Sequence, residues 1–126
     1  MNILDRDLLT DTPIIAVDLD VMERNIRRMQ QLAAEAGVKL RPHTKTHKSP
    51  YIALKQLEAG ASGITVATLG EAEVMADAGI DDILIAYPLV GRRKLERFSR
   101  LLNRADLTVA FDDIEVAKGI NDVGEA

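Results

Sequence analysis

Two hydrophobic periods take turns along this chain. Short apolar or alternating runs lie at Ile14-Ile15-Ala16-Val17, Val38 to His43, Gly63-Ile64-Thr65-Val66-Ala67, Ile83-Leu84-Ile85-Ala86 and Leu107-Thr108-Val109-Ala110-Phe111. Their length and β-branched content predict strands. Between them, apolar residues recur at helical spacing. Met22, Ile26, Met29, Ala33 and Ala36 share one face, Ile52, Leu54 and Leu57 a second, and Leu95, Phe98, Leu101 and Leu102 a third.

Punctuating residues fall where this reading needs them. Asp20 with Glu23 predicts a capped helix start, and Gly37 its end. Ser49-Pro50 opens the next helix and Gly60 closes it. Thr68 with Glu71 opens another that stops at Gly79, Lys94 to Asn103 is an amphipathic helix, and Asp112 caps a last one over Ile114 to Val123. Leaving the first run aside, the chain is α/β with four β-α units, at the roughly 20–25-residue spacing of a parallel sheet. Four units make a small doubly wound sheet or about half of an eight-fold (β/α) barrel of the TIM type. No Gly-x-Gly-x-x-Gly follows a strand and no Walker motif is present, so the dinucleotide and P-loop versions of the open sheet lose their support.

Composition narrows the function. With 47% hydrophobic and 29% charged residues the chain is a globular sequence with a modest core. Aromatics are 3%, so that core is aliphatic and bases would find few stacking platforms. The net charge of -4 argues against a nucleic-acid partner. The absence of cysteine excludes disulfides and thiolate metal sites. Five aspartates in the opening stretch, Asp5, Asp7, Asp11, Asp18 and Asp20, leave no signal peptide, and no run is long enough to span a bilayer, so a cytoplasmic protein without membrane contact is expected.

Between Lys39 and Lys48 the chain gathers Lys39, Arg41, Lys45, Lys48, His43 and His47. Strand alternation gives Lys39, Arg41, His43 and Lys45 one face, and Leu40, Pro42 and Thr44 the other. In a barrel the first set faces inward with Lys45 nearest the mouth, where such folds do their chemistry. Buried cations there need partners, and an anionic ligand supplies them. Pro42 has no N–H for the ladder, so the strand is expected to be irregular. Crowding by like charge lowers a lysine's proton affinity, and a neutral amine can form a Schiff base with a carbonyl. The alternative is that Lys45 and Lys48 are solvated loop lysines. His43 and His47 have no third ligand nearby, so no metal site is assigned to this chain.

The stretch Arg41-Pro42-His43-Thr44-Lys45-Thr46-His47-Lys48 resembles the signature of the D-threonine aldolase and D-serine dehydratase family, pyridoxal-phosphate enzymes on the alanine-racemase type of barrel. Thr12-Pro13, Val17-Asp18-Leu19-Asp20, Gln56 to Ala61, Gly63 to Ala67 and Ala86-Tyr87-Pro88-Leu89-Val90-Gly91 extend the likeness along most of the chain. The resemblance implies that Lys45 binds pyridoxal 5'-phosphate as a Schiff base, with Arg41 and His43 tuning it or touching cofactor oxygens. It implies that residues 1–20 carry a strand of a separate β-domain and that residues 21–126 are the N-terminal half of the barrel. The family's chains are longer. Their later part brings the phosphate loop and the ligands of a divalent metal (Mn, Mg or Zn), so this chain alone is expected to be inactive.

The function so implied is a lyase acting on a β-hydroxy-D-amino acid, as a homodimer. Retro-aldol cleavage of D-threonine to glycine and an aldehyde comes first, and D-serine dehydration second. An amino-acid racemase and a non-catalytic pyridoxal-phosphate-binding protein are further alternatives. A reading from another class is an interaction domain that closes half barrels by self-association. Asp18 and Asp20 could be read as a catalytic carboxylate pair, but capping accounts for Asp20. Tyr87-Pro88 at a strand end either lines the site or makes an ordinary turn, and Arg92-Arg93, unfavourably placed at a helix start, either binds an anion or a partner or is simply solvated.

Overall fold

Among the described residues, four of the five α-helices begin at a short side chain that takes up an orphan backbone N–H. The computed structural model describes residues 13–125. Helix α1 (Leu19–Glu35) starts at Asp18, whose carboxylate accepts from the Val21 N–H at 2.9 Å. Ser49 caps α2 (Pro50–Glu58), Thr68 caps α3 (Leu69–Asp77) and Asp113 caps α5 (Ile114–Gly124). The fifth, α4 (Arg92–Leu102), follows Gly91 at φ +94° with no side-chain cap. Two expected caps move: Asp18 replaces Asp20, and Asp113 replaces Asp112. A cap needs an extended backbone two or three residues before the N–H it serves. Asp18 (ψ 110°) and Asp113 (ψ 142°) meet that condition, whereas Asp20 is already inside the helix.

Three parallel strands, β1 (Ile64–Val66), β2 (Asp82–Ile85) and β3 (Asp106–Val109), lie in the order β1-β2-β3. Ile64 stands opposite Ile83, and Leu84 opposite Thr108. The strand expected over Val38 to His43 is reduced to a single bridge, His43 opposite Thr65. Its carbonyls still accept, Leu40 from the Ser62 N–H (2.9 Å) and Pro42 from the Thr65 N–H (2.7 Å). Pro42 gives nothing back, which is the irregularity the proline predicts. The strand expected at Ile14 to Val17 is not formed among the described residues. That segment is unpaired, and Ile15 is 96% exposed.

The helices cover one face of the sheet. Ile64, Val66, Ile83 and Ile85 are fully shielded and join Ala53 of α2, Leu69, Ala72 and Met75 of α3, and Phe98 and Leu101 of α4 in one core. On β3, Leu107 and Val109 pack against that core while Asp106 and Thr108 remain exposed. The alternation of one strand thus gives the sheet a covered and an open face. Ala53, rather than the expected Leu54, is the buried residue of α2, since a small side chain lets the helix come close to the strands. Leu102 and Met29, expected inside, are exposed; Met29 borders an apolar cleft with Ile26, Leu40 and Pro42.

Arg41 secures the segment that the ladder leaves loose. Its guanidinium donates to both oxygens of Asp82, at 2.7 and 3.0 Å, and lies near the Ile64 carbonyl at 3.5 Å. A bidentate pair fixes angle as well as distance. The fork passes over Gly63, where an added Cβ would stand 2.7 Å from Asp82 Cγ and 2.8 Å from Arg41 Cζ. Gly63 also has φ +149°, so it is required twice, for space and for conformation. Gly37 shares a positive φ (+69°) but has no atom near its missing Cβ. Gly63→Ala is therefore expected to cost about 3 kcal/mol or more, from strain and overpacking together, and Gly37→Ala only about 1 kcal/mol. Urea midpoints test this. In an Arg41→Met background the Gly63→Ala cost should shrink; equal costs in both backgrounds would show that the fork does not occupy this space.

Candidate active site

Beyond Pro42 the chain turns instead of extending. Thr44–Thr46 form one 3-10 turn with Lys45 at its centre. His43 precedes it, and its Nδ1 accepts the Lys45 N–H at 3.3 Å. Thr44 is fully buried, and its hydroxyl donates to the Thr65 carbonyl of β1 at 3.2 Å. His47 repeats the device of His43: its Nδ1 accepts the Ser49 N–H at 3.1 Å and ties the turn to the start of α2. Lys48 takes the left-handed region (φ +51°), uncommon for a residue with a side chain, and its ammonium pairs with Glu71. The second Glu71 oxygen accepts the Ala67 N–H at the end of β1, at 2.7 Å. The Lys45 turn is thus fastened to β1 by Thr44, to α2 by His47 and to α3 through Lys48 and Glu71.

The structure separates what the sequence crowds together. Lys45 is exposed, and no carboxylate of the described residues pairs with its ammonium. Arg41 is not beside it. Its guanidinium is engaged by Asp82, the first residue of β2, at the opposite end of the sheet from Lys45. Lys48 is neutralised by Glu71. The cluster of cations expected around Lys45 is therefore dispersed, because two of its members find carboxylates of their own. His43 stays with the lysine, through its backbone.

On the open face, register sets the neighbours of this turn. Thr65, Leu84 and Thr108 stand level with His43. One alternation further along, Ala67, Ala86 and Ala110 follow the C-terminal ends of the strands, and the ladder continues through the Ala86 and Ala110 N–H groups. By alternation these three alanines fall on the open face beyond Thr65, Leu84 and Thr108, a floor of small side chains. Tyr87 and Phe111 follow at the rim, both exposed, with the Lys94 ammonium 4.8 Å from the centre of the Tyr87 ring. Arg92 is held by Glu96 one turn on, so the Arg92-Arg93 pair has an ordinary partner.

Two groups near the turn are electrostatically displaced. Burial lowers the proton affinity of His47, and the side chain of Gln56 only partly offsets it; the Ser49 N–H that its Nδ1 accepts favours the neutral ring. Its Nε2 is buried without a partner. Burial opposes the charge on Glu71, but Lys48 and the Ala67 N–H outweigh it and hold the carboxyl below its usual range. Among the described residues no three His, Cys, Asp or Glu side chains gather where a cation would sit. Sequence reasoning gave Asp82 and Gly63 no role at the site, and it gave Glu71 the role of a helix cap. The one signal available was a glycine directly before a buried strand, a place where another group approaches the backbone.

The family described as alanine racemase, N-terminal domain, matches residues 17–126. D-threo-3-hydroxyaspartate dehydratase of Delftia sp. is 46% identical over 113 residues, covering 90% of this chain and 30% of the relative. D-threonine aldolase of Arthrobacter sp. is 41% identical over 116 residues, covering 92% and 30%. The crystal structure of D-threonine aldolase from Filomicrobium marinum superposes with a TM-score of 0.88 at 43% identity, over 91% of this chain and 31% of that one. The chain therefore spans about 30% of the length of the relatives it matches. 3-Hydroxyaspartate is a substrate that the sequence reading does not include.

The Glu71 clasp has a pH signature. A carboxylate lowered in the folded state stabilises above its ordinary pKa, and that stability is lost as pH falls through the folded value. Glu71→Gln is expected to lower stability by about 1 kcal/mol at neutral pH. The gap to the parent should close as the pH drops below the ordinary value of 4.5. Denaturant midpoints across that range check it, and a gap independent of pH would remove the charge from the argument.

Proposed function

This chain belongs to the alanine racemase N-terminal domain family, and on that premise we propose that it is the N-terminal half barrel of a pyridoxal-phosphate lyase acting on β-hydroxy-D-amino acids. The observation that carries the reading is the Lys45 turn, an exposed amine fastened at the C-terminal end of a parallel sheet. Neighbouring strands in chain order, with all covering helices on one face, suit an arc of a (β/α)8 barrel. A doubly wound sheet reverses its order and covers both faces. On this reading residues 21–126 supply four of the eight units, with Val38 to His43 as the first strand. Residues 1–20 belong with a β-domain; all but the last eight of them lie outside the described residues.

The residues fit the cofactor. Lys45 would hold it through the aldehyde carbon, and the floor of Ala67, Ala86 and Ala110 leaves space for a flat ring that larger side chains would fill. When bound, pyridoxal phosphate supplies an electron sink for the pair left at Cα as a bond to that carbon breaks. Lys45 must present a deprotonated amine. His43 and Thr44 fix where its backbone stands, and the ion pairs of Arg41 and Lys48 keep those cations from competing for the substrate carboxylate. Arg41 acts from a distance, by holding the segment that leads to the turn. The ligands of a divalent metal are assigned to the remainder of the protein, as is the interface of a homodimer.

Retro-aldol cleavage of a D-threonine-like substrate is the first reading. Dehydration is the second, favoured by the 46% identity to a protein named as a D-threo-3-hydroxyaspartate dehydratase. The test begins with this chain and pyridoxal phosphate, beside Lys45→Ala. A visible absorbance band that borohydride traps on Lys45, and that Lys45→Ala loses, is the expected result. A longer protein carrying this chain should then release glycine and an aldehyde from D-threonine, or a keto acid and ammonia from D-serine or D-threo-3-hydroxyaspartate. A longer protein that forms no adduct at Lys45 would overturn the reading.

A further inference from the structure

The motif carries two histidines, and the function proposed above engages only the first. His43 and His47 flank Lys45 at equal distance along the chain, and both turn Nδ1 toward a backbone N–H two residues on. At His47 that N–H belongs to Ser49, the cap of α2, whose own hydroxyl accepts from the Ile52 N–H at 3.4 Å. An imidazole that accepts through Nδ1 carries its proton on Nε2 and is neutral. The far side of the ring is buried against α2, where Nε2 and the Gln56 Oε1 both lack partners by strict geometry.

We propose that His47 is a positioning residue for Lys45: as a neutral acceptor it locks the Lys45 turn to α2, and protonation converts the acceptor into a donor facing an N–H and releases the turn. This rests on Lys45 being the cofactor lysine. The charged groups on the surrounding elements are Lys45 and Lys48 on its own turn, Glu71 on α3, Lys55 on α2 and Glu23 on α1. Lys48 is paired with Glu71, and Lys55 with Glu58 and Glu23. None of these charges holds a proton on the ring; burial disfavours the imidazolium outright. The sign follows. A base lowered in the folded state leaves the turn locked above its ordinary pKa of 6.5, and the lock is lost as pH falls through the folded value.

His47→Asn isolates the effect. An asparagine Oδ1 accepts an N–H two residues on and does not titrate. The experiment measures the yield of borohydride-trapped cofactor on Lys45 from about pH 8 down to about pH 5, the range in which an imidazole titrates. It compares the parent chain, His47→Asn, His47→Ala and Lys45→Ala. The expected result is equal trapping by parent and His47→Asn at the alkaline end. The parent should then lose at least about threefold more than His47→Asn on acidification, with His47→Ala low throughout. Parallel profiles for the parent and His47→Asn would overturn the inference while leaving Lys45 in place. Trapping that survives Lys45→Ala would instead overturn the reading of the lysine. An independent arm needs no cofactor: nitrogen NMR of the parent should show the Nε2–H tautomer at His47, with the Lys45 and Ser49 amide shifts following its titration. A proton on Nδ1 at neutral pH would end the proposal.

Discussion

Pro42 has no N–H to give to the sheet, and the arrangement of the site follows from how that loss is made good. A regular first strand would hold its C-terminal end by a run of ladder bonds. Here the ladder offers two backbone bonds and one bridge. Side chains take over on both sides of the proline. Upstream, Arg41 forks onto Asp82 across the bare backbone of Gly63. Downstream, the Thr44 hydroxyl donates to the Thr65 carbonyl, and two imidazoles accept the N–H groups that the turn leaves over. A ladder would have permitted sliding by whole residues. Side-chain fastenings of unlike chemistry do not, so the amine of Lys45 starts from one fixed backbone position.

The same substitution explains why the sequence exposes the fold more readily than the site. Caps, helix faces and strand runs obey local rules, and those rules found every helix and three of the strands to within a residue or two. They erred at α1 and α5 by choosing the wrong member of an aspartate pair, since either member of such a pair satisfies the composition and only the backbone angles choose between them. The site depends on partners distant in the chain. Arg41 meets Asp82 across 41 positions and Lys48 meets Glu71 across 23. No periodicity connects such residues. Strand alternation correctly set Arg41 and His43 on a common side, but it assumed that the strand continues to Lys45, and the turn at Thr44 breaks that assumption.

The uncovered surfaces have a common geometry. Parallel strands are ordinarily shielded on both faces. Here the helix-covered face is shielded, while on the other Thr65 is buried but Asp106 and Thr108 stand in water. Leu32 and Val38 are 50% and 60% exposed, and Ile114 is 67% exposed at the far end of the sheet. The open face and these two flanks are the surfaces that closing a barrel would cover. This agrees with a chain that spans about 30% of its relatives' length.

On the proposed reading, the choice between aldol cleavage and dehydration lies outside this segment. Proteins named for either reaction match the same stretch at 46% and 41% identity. Both reactions need the substrate amine captured, and both need electrons at Cα accepted by the same ring. Those requirements fall on Lys45 and on the groups that fix it. The reactions differ in which bond lines up with the ring and in whether a base or a Lewis acid meets the β-hydroxyl. Among the described residues the carboxylate tied to the turn, Glu71, is engaged by Lys48 and the Ala67 N–H. His47 is turned toward α2, and the Nδ1 of His43 is taken by the Lys45 N–H. On that reading the segment would serve as the seat for the amine common to both reactions, and the group that acts on the hydroxyl would come from the remainder of the protein.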